Sequence, residues 1–246
     1  MKAKLDFQVR ETDRIASTKP TSGACWFANG NPAASVQHAA TRGTGANTLA
    51  WLGLLFGACL FSTRAADLFW TNASGGAWNS PSNWSPNQLP AAGDRVWITN
   101  SGTYTVTISG GGVAGELWLG GATGTQTLSL TSGTWLVGNG TGNTNGVLRI
   151  TGGTLGGGSL VLAGPLNWSG GSITNTLRCG GGTISGSANK TLRYGCLVNT
   201  GLLTFSNGFL DLYNGAVISN VATAVFDITA DCYLSYYAGS QGTIYN

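Results

Sequence analysis

One strand-turn-strand phrase recurs along the second half of this 246-residue chain: Leu, any residue, apolar, small, Gly or Asn, Gly, small, apolar. Leu166-Asn167-Trp168-Ser169-Gly170-Gly171-Ser172-Ile173 and Leu177-Arg178-Cys179-Gly180-Gly181-Gly182-Thr183-Ile184 fit it at every position, and Leu203-Thr204-Phe205-Ser206-Asn207-Gly208-Phe209-Leu210 fits with one bulky exception. Weaker copies, Leu128 to Leu136 and Leu148 to Leu155, share Leu, Thr, Gly and Thr at the same offsets. Coils stacked in parallel place like residues above like, whereas a sandwich of hairpins has no reason to repeat its turn chemistry. The reading is therefore all-β, a parallel β-helix or solenoid. The copies start 20, 18, 11 and 26 residues apart (Leu128, Leu148, Leu166, Leu177, Leu203), which argues for a right-handed coil with variable loops over a strict hexapeptide helix.

Composition agrees with short strands and many corners. Forty glycines would each cost about 0.5 to 1 kcal/mol inside a regular element, so they belong at turns and crowded stacking positions. Charged residues are 9% of the chain, far below the usual quarter, yet 42% are apolar and nine are Trp, enough to bury a core. Thr103 to Ile108 alternates strictly, with Tyr104, Val106 and Ile108 on one face. After residue 66 no stretch of ten residues carries a helical period.

Four segments follow. Residues 1–48 are polar, hold most of the basic excess and read as a disordered, extended leader. Residues 49–66 contain the uncharged run Leu49 to Phe61, too short for a comfortable membrane span, followed by small residues that offer cleavage after Ala65 or Ala66; this is the pattern of a secretory signal helix. Residues 67–99 are dense in Trp, Asn, Ser and Pro and read as an N-terminal Trp-rich capping module. Residues 100–246 are the Gly/Thr/Asn-rich solenoid.

Several function classes drop out. From Ala66 onward five cations face six acids, so no basic stripe exists to bind nucleic acid. The only histidine, His38, lies in the leader, which removes Ser-His and Cys-His nucleophile pairs from the exported part. Carboxylate chemistry on sugars stays open, with Asp94, Glu116, Asp211, Asp227, Asp231, Lys190 and Arg193 as its residues. Alternation turns Asp211 and Asp227 toward water. Asp227 and Asp231 would be the calcium ligands if they shared a corner, but no Asp-rich loop or Gly-Gly-x-Gly-x-Asp nonapeptide accompanies them, and neither a metal nor another cofactor is expected.

Trp78 and Trp84, set among Asn and Ser, have two readings: flat platforms for a carbohydrate, or plugs over the open end of the solenoid. Cys179, Cys196 and Cys232 fall on inward positions, where coils about 4.8 Å apart bring cysteines within disulfide reach; Cys179 and Cys196 are the candidate pair, with small reduced core residues as the other reading.

Phe69-Trp70-Thr71-Asn72 through Gly76-Ala77-Trp78-Asn79, then Asn83-Trp84-Ser85, then Pro90-Ala91-Ala92-Gly93-Asp94-Arg95-Val96-Trp97-Ile98, resembles the opening module of large Gly-rich bacterial surface proteins, the autotransporter passenger domains and β-helical adhesins. The resemblance implies an exported, non-enzymatic structural or adhesive segment at the cell surface or outside it, contacting glycans or other surface proteins. Membrane contact would then come only through the signal segment or a C-terminal anchor. No barrel or sorting signal follows the repeats, so a fragment of a longer protein is expected, truncated at its C-terminus. A β-helical polysaccharide lyase or glycoside hydrolase is the alternative, and a carbohydrate-binding module built on the Trp-rich cap is a second.

Overall fold

The computed structural model describes residues 65–236 and 238–246; the leader 1–48 and all but the last two residues of the signal segment 49–66 lie outside the described residues. The described chain is all-β, a parallel solenoid of about seven turns. Each complete turn lays down three short strands, one on each of three faces. Face A holds Asp67–Trp70, Arg95–Ile98 and residues 116–119, and continues to Thr243–Tyr245. Face B runs from Gly76–Ala77 and Tyr104–Ile108 to Val225–Ile228. Face C runs from residues 112–114 to Tyr233–Tyr236.

Strand alternation decides what lies inside. In Tyr104–Ile108 the Tyr, Val and Ile are buried while the two threonines point outward. Stacking then lines up the inward residues. On face B, Val106, Leu128, Leu148, Leu166, Gly182, Leu203 and Phe226 form one column, and Ile108, Leu130, Ile150, Trp168, Ile184, Phe205 and Ile228 form the next. Each fully buried Leu or Ile contributes about 1.5 to 3 kcal/mol. The inward residues of the last coil, Phe226, Ile228, Leu234 and Ile244, are only partly buried, since a coil covers them on one side alone.

The phrase in the sequence is in phase for Leu166 and Leu203 but not for Leu177. Leu177 stacks on Leu160 and Leu197 of face A, while the face B position above Leu166 is held by Gly182. Turn length varies accordingly: Leu68 to Val96 spans 28 residues and Leu160 to Leu177 spans 17.

Two kinds of corner need glycine. Between faces B and C, Gly133, Gly153 and Gly171 succeed one another with φ of 74°, 74° and 80°, a left-handed turn that L side chains resist. Between faces C and A the backbones of Gly115, Gly138 and Gly158 crowd together. A Cβ on Gly158 would lie 1.7 Å from the Gly138 carbonyl oxygen.

Every pairing among the described residues is parallel except one. Trp84–Ser85 runs antiparallel to Asp67–Trp70 and covers the outer edge of the first coil. The segment 67–99 thus contains both this lid and the first two face A strands of the solenoid itself.

Candidate functional site

Trp78 and Trp84 are 2% and 1% exposed. The Trp84 ring meets Trp70 and Trp78 edge to face, each with centroids 5.0 Å apart, and Trp78 leans on Trp135 at 5.9 Å. The Trp84 indole N–H donates to the Trp78 carbonyl at 2.8 Å, so the polar end of the ring is satisfied inside. Gly112 makes the room: a Cβ there would stand 2.9 Å from Trp78 Nε1. With their faces turned into this cluster, the two indoles offer no platform to a sugar, and the carbohydrate reading of Trp78 and Trp84 is corrected to an end plug. A shallow cleft of about 410 Å³ remains beside Trp78, floored by the backbone of Gly110 to Gly112 and edged by Leu89 and Pro90.

The candidate disulfide between Cys179 and Cys196 is also corrected. Cys179 stacks on Asn199, and Cys196 stacks on Thr176, so the two cysteines sit three positions apart along neighbouring strands. Cys179 is a buried free thiol, pushed up to about 11 by burial, with the Gly181 amide and Arg178 pulling weakly the other way. Cys196 is engaged elsewhere. Cys232 is a free, half-buried thiol whose Sγ lies 3.4 Å from the Phe205 carbonyl.

The ionisable residues are dispersed, and several serve the fold. Asp94 is buried, and its two oxygens accept the Ala66 and Ala91 amides, each at 2.8 Å. Asp211 is 7% exposed, not turned to water as alternation alone suggested; it lies in the column Thr191, Asp211, Ser235, flanked along the strand by Phe209 and Tyr213, and accepts a short hydrogen bond from the Ser235 hydroxyl. Asp227 and Asp231 are exposed. Arg193 lies over the Tyr213 ring at 5.3 Å.

Lys190 points inward in the column Gly171, Lys190, Leu210 and is fully buried. Its ammonium donates to the carbonyls of Ser185, Gly186 and Ala188 at 2.9, 2.7 and 2.8 Å, closing a corner loop. Burial lowers its pKa, and neighbouring Cys232 opposes this. Among the described residues no three His, Cys, Asp or Glu side chains come together in a group able to hold a metal ion.

The most developed surface feature was not among the candidates. On the outside of face A, Phe69, Trp97 and Trp118 stack in register on three successive coils. Phe69 and Trp97 have centroids 6.0 Å apart at 16°, and Trp97 and Trp118 3.9 Å apart at 6°. Two residues away runs a column of charges, Asp67, Arg95 and Glu116, in which Arg95 Nε lies 2.7 Å from Asp67 Oδ1. The signal was present in the sequence. Asp67-Leu68-Phe69-Trp70, Arg95-Val96-Trp97-Ile98 and Glu116-Leu117-Trp118-Leu119 repeat one four-residue phrase of charged, aliphatic, aromatic and apolar residues.

Comparison with protein-family models, with curated proteins and with solved structures finds no match to this chain.

Proposed function

We propose that the chain is an exported structural or adhesive β-solenoid, a non-enzymatic stalk or scaffold segment at or outside a bacterial surface. The observation that carries this reading is how the ionisable groups are used. Asp67 is held by Arg95, Asp94 by two backbone amides, Asp211 by Ser235 and Lys190 by three carbonyls. Hydrolysis or elimination on a sugar needs at least two such groups free and flanking one bond, whereas Glu116 and Arg178, unpaired among the described residues on the outside of face A, stand three coils, about 14 Å, apart. The solenoid instead supplies continuous backbone ladders for stiffness and an outer surface rich in Thr, Ser and Asn for many weak contacts.

The two cleavage sites would have different consequences for one hydrogen bond. The Ala66 amide nitrogen sits 2.8 Å from Asp94 Oδ1. Cleavage after Ala65 would turn that nitrogen into an α-ammonium and the hydrogen bond into an ion pair. Cleavage after Ala66 would remove the donor, and it would also place Arg64 at the position where a small residue is preferred.

The test is expression of the full chain with a C-terminal tag in a bacterial host, with fractionation, intact mass and an assay for new sugar ends on polysaccharide. The expected result is an extracytoplasmic protein that begins at Ala66 and leaves the polymer intact. A cytoplasmic protein that retains Met1 sinks the export reading, and released sugar ends sink the non-enzymatic one.

A further inference from the structure

We infer that the step where the aromatic column ends, below Trp118 on the outside of face A, is a binding site for a neutral oligosaccharide. This deepens the adhesive reading and depends on it for access to such a ligand, though not for the binding chemistry.

The column changes abruptly along the axis. Trp97 covers one face of the Trp118 ring at 3.9 Å. On the next coil the position in register with Trp118 is Thr141, followed by Val161 and then Arg178. Thr and Val are far shorter than an indole, so the second face of Trp118 stands above a floor of two small side chains. Three coil spacings separate Trp118 from Arg178, about 14 Å. That length leaves room for a pyranose ring standing parallel to the indole over Thr141, with the rest of the ligand passing over Val161. A sugar ring carries a face of C–H groups that suits the electron-rich face of an indole, and hydroxyls around its rim that need hydrogen-bonding partners.

Those partners are available. Beside the floor, Glu116 and Asn139 stand in one column on successive coils, while the hydroxyl of Ser159, next in that column, is buried. Glu116, Asn139 and Thr141 are exposed, and none of their side chains makes a hydrogen bond among the described residues. The structural amides of this solenoid behave differently. Asn143 donates to the carbonyls of Gly120 and Gly121, and Asn199 donates to those of Gly201 and Val225. Asn139 is an amide of the same type, held on a rigid strand with its donors and acceptor unused.

The charges decide between ligand classes. Glu116 at one end and Arg178 at the other leave the step without net charge, which disfavours a polyanion and favours a neutral polymer.

Affinity electrophoresis of the full chain through gels containing hydroxyethyl cellulose, galactomannan or xyloglucan, with alginate as the anionic comparison, tests the site. Retardation by at least one neutral polymer is expected. Trp118→Ala should weaken it by about tenfold, the loss of one ring-stacking contact. Thr141→Arg is the second variant: its guanidinium covers the free face of Trp118, fills the step without adding a new aromatic end, and should abolish retardation without lowering Tm. No retardation by any neutral polymer, stronger retardation by alginate, or binding that survives Thr141→Arg overturns the proposal. The two readings fail separately. A protein that stays in the cytoplasm yet binds these polymers loses the export reading and keeps the site, whereas an exported protein that migrates freely loses the site and keeps the rod.

Discussion

Trp97 and Trp118 face each other with ring centroids 3.9 Å apart, closer than the roughly 4.8 Å that separates the strands carrying them. The rings therefore lean together and make a contact of their own beyond the backbone ladder. A double-mutant cycle with Trp97→Ala and Trp118→Ala, read by urea denaturation, should give a coupling of about 0.5 to 1.5 kcal/mol. Additive losses would mean that the rings are neighbours without mutual attraction.

Gly158 and Gly93 make a contrasting pair. A methyl group at Gly158 would lie 1.7 Å from the Gly138 carbonyl oxygen, a backbone atom that cannot move without opening the ladder, while nothing lies within 4 Å of a Cβ at Gly93. Gly158→Ala is expected to cost about 3 kcal/mol or more, and Gly93→Ala to change stability by less than about 0.5 kcal/mol. Equal chemical-denaturation midpoints for the two variants would contradict the crowded glycine corner.

The same corner chemistry explains how far the fold was legible in the sequence. Leu128, Leu148, Leu166 and Leu203 announced a stacked architecture because they do share one column. The phrase at Leu177 misled because strand, tight turn, strand describes any of the three corners of a coil. Local turn residues do not say which corner they serve. The site was less legible for a different reason. A Trp among Asn and Ser is compatible with a plug or a platform, and the choice rests on whether another coil lies above it. For Trp84 the answer is Trp70 and Trp78, two earlier residues against which the chain folds it back. For Trp118 the answer is Thr141, which becomes a neighbour only once the turn length is known.

Lys190, itself fully buried, closes its loop by donating to the carbonyls of Ser185, Gly186 and Ala188. Lys190→Met keeps most of the volume and removes all three donors, so the carbonyls of Ser185, Gly186 and Ala188 lose their partner. The expected loss is about 2 kcal/mol or more by denaturant titration, with hydrogen exchange rising first around residues 185–190. A variant as stable as the parent would show that the loop holds its shape without the ammonium.

Alkaline pH should loosen this protein in a way that Cys179 controls. Its thiol titrates at about 11 when folded, because burial penalises the thiolate, against 9.0 for an ordinary cysteine. Tyr104 behaves alike, pushed up to about 12 from 10.0 by burial, with the Asn100 backbone opposing weakly. For both groups the folded state holds its proton longer than the unfolded chain. Their stabilisation is therefore complete below the unfolded pKa and is lost as pH rises, from 9 through 11 for Cys179 and from 10 through 12 for Tyr104. Cys232, also raised chiefly by burial, adds to the decline. Lys190 acts in the opposite sense, since its folded pKa is lowered and the native state releases its proton first, so stability grows with pH up to its ordinary value of 10.5. Urea midpoints measured at pH 8, 9, 10 and 11 should fall across this range, Cys179→Ala should flatten the fall between 9 and 11, and Lys190→Met should steepen it below 10.5. A profile that Cys179→Ala leaves unchanged would mean that the thiol is not sealed in the core when the protein is folded.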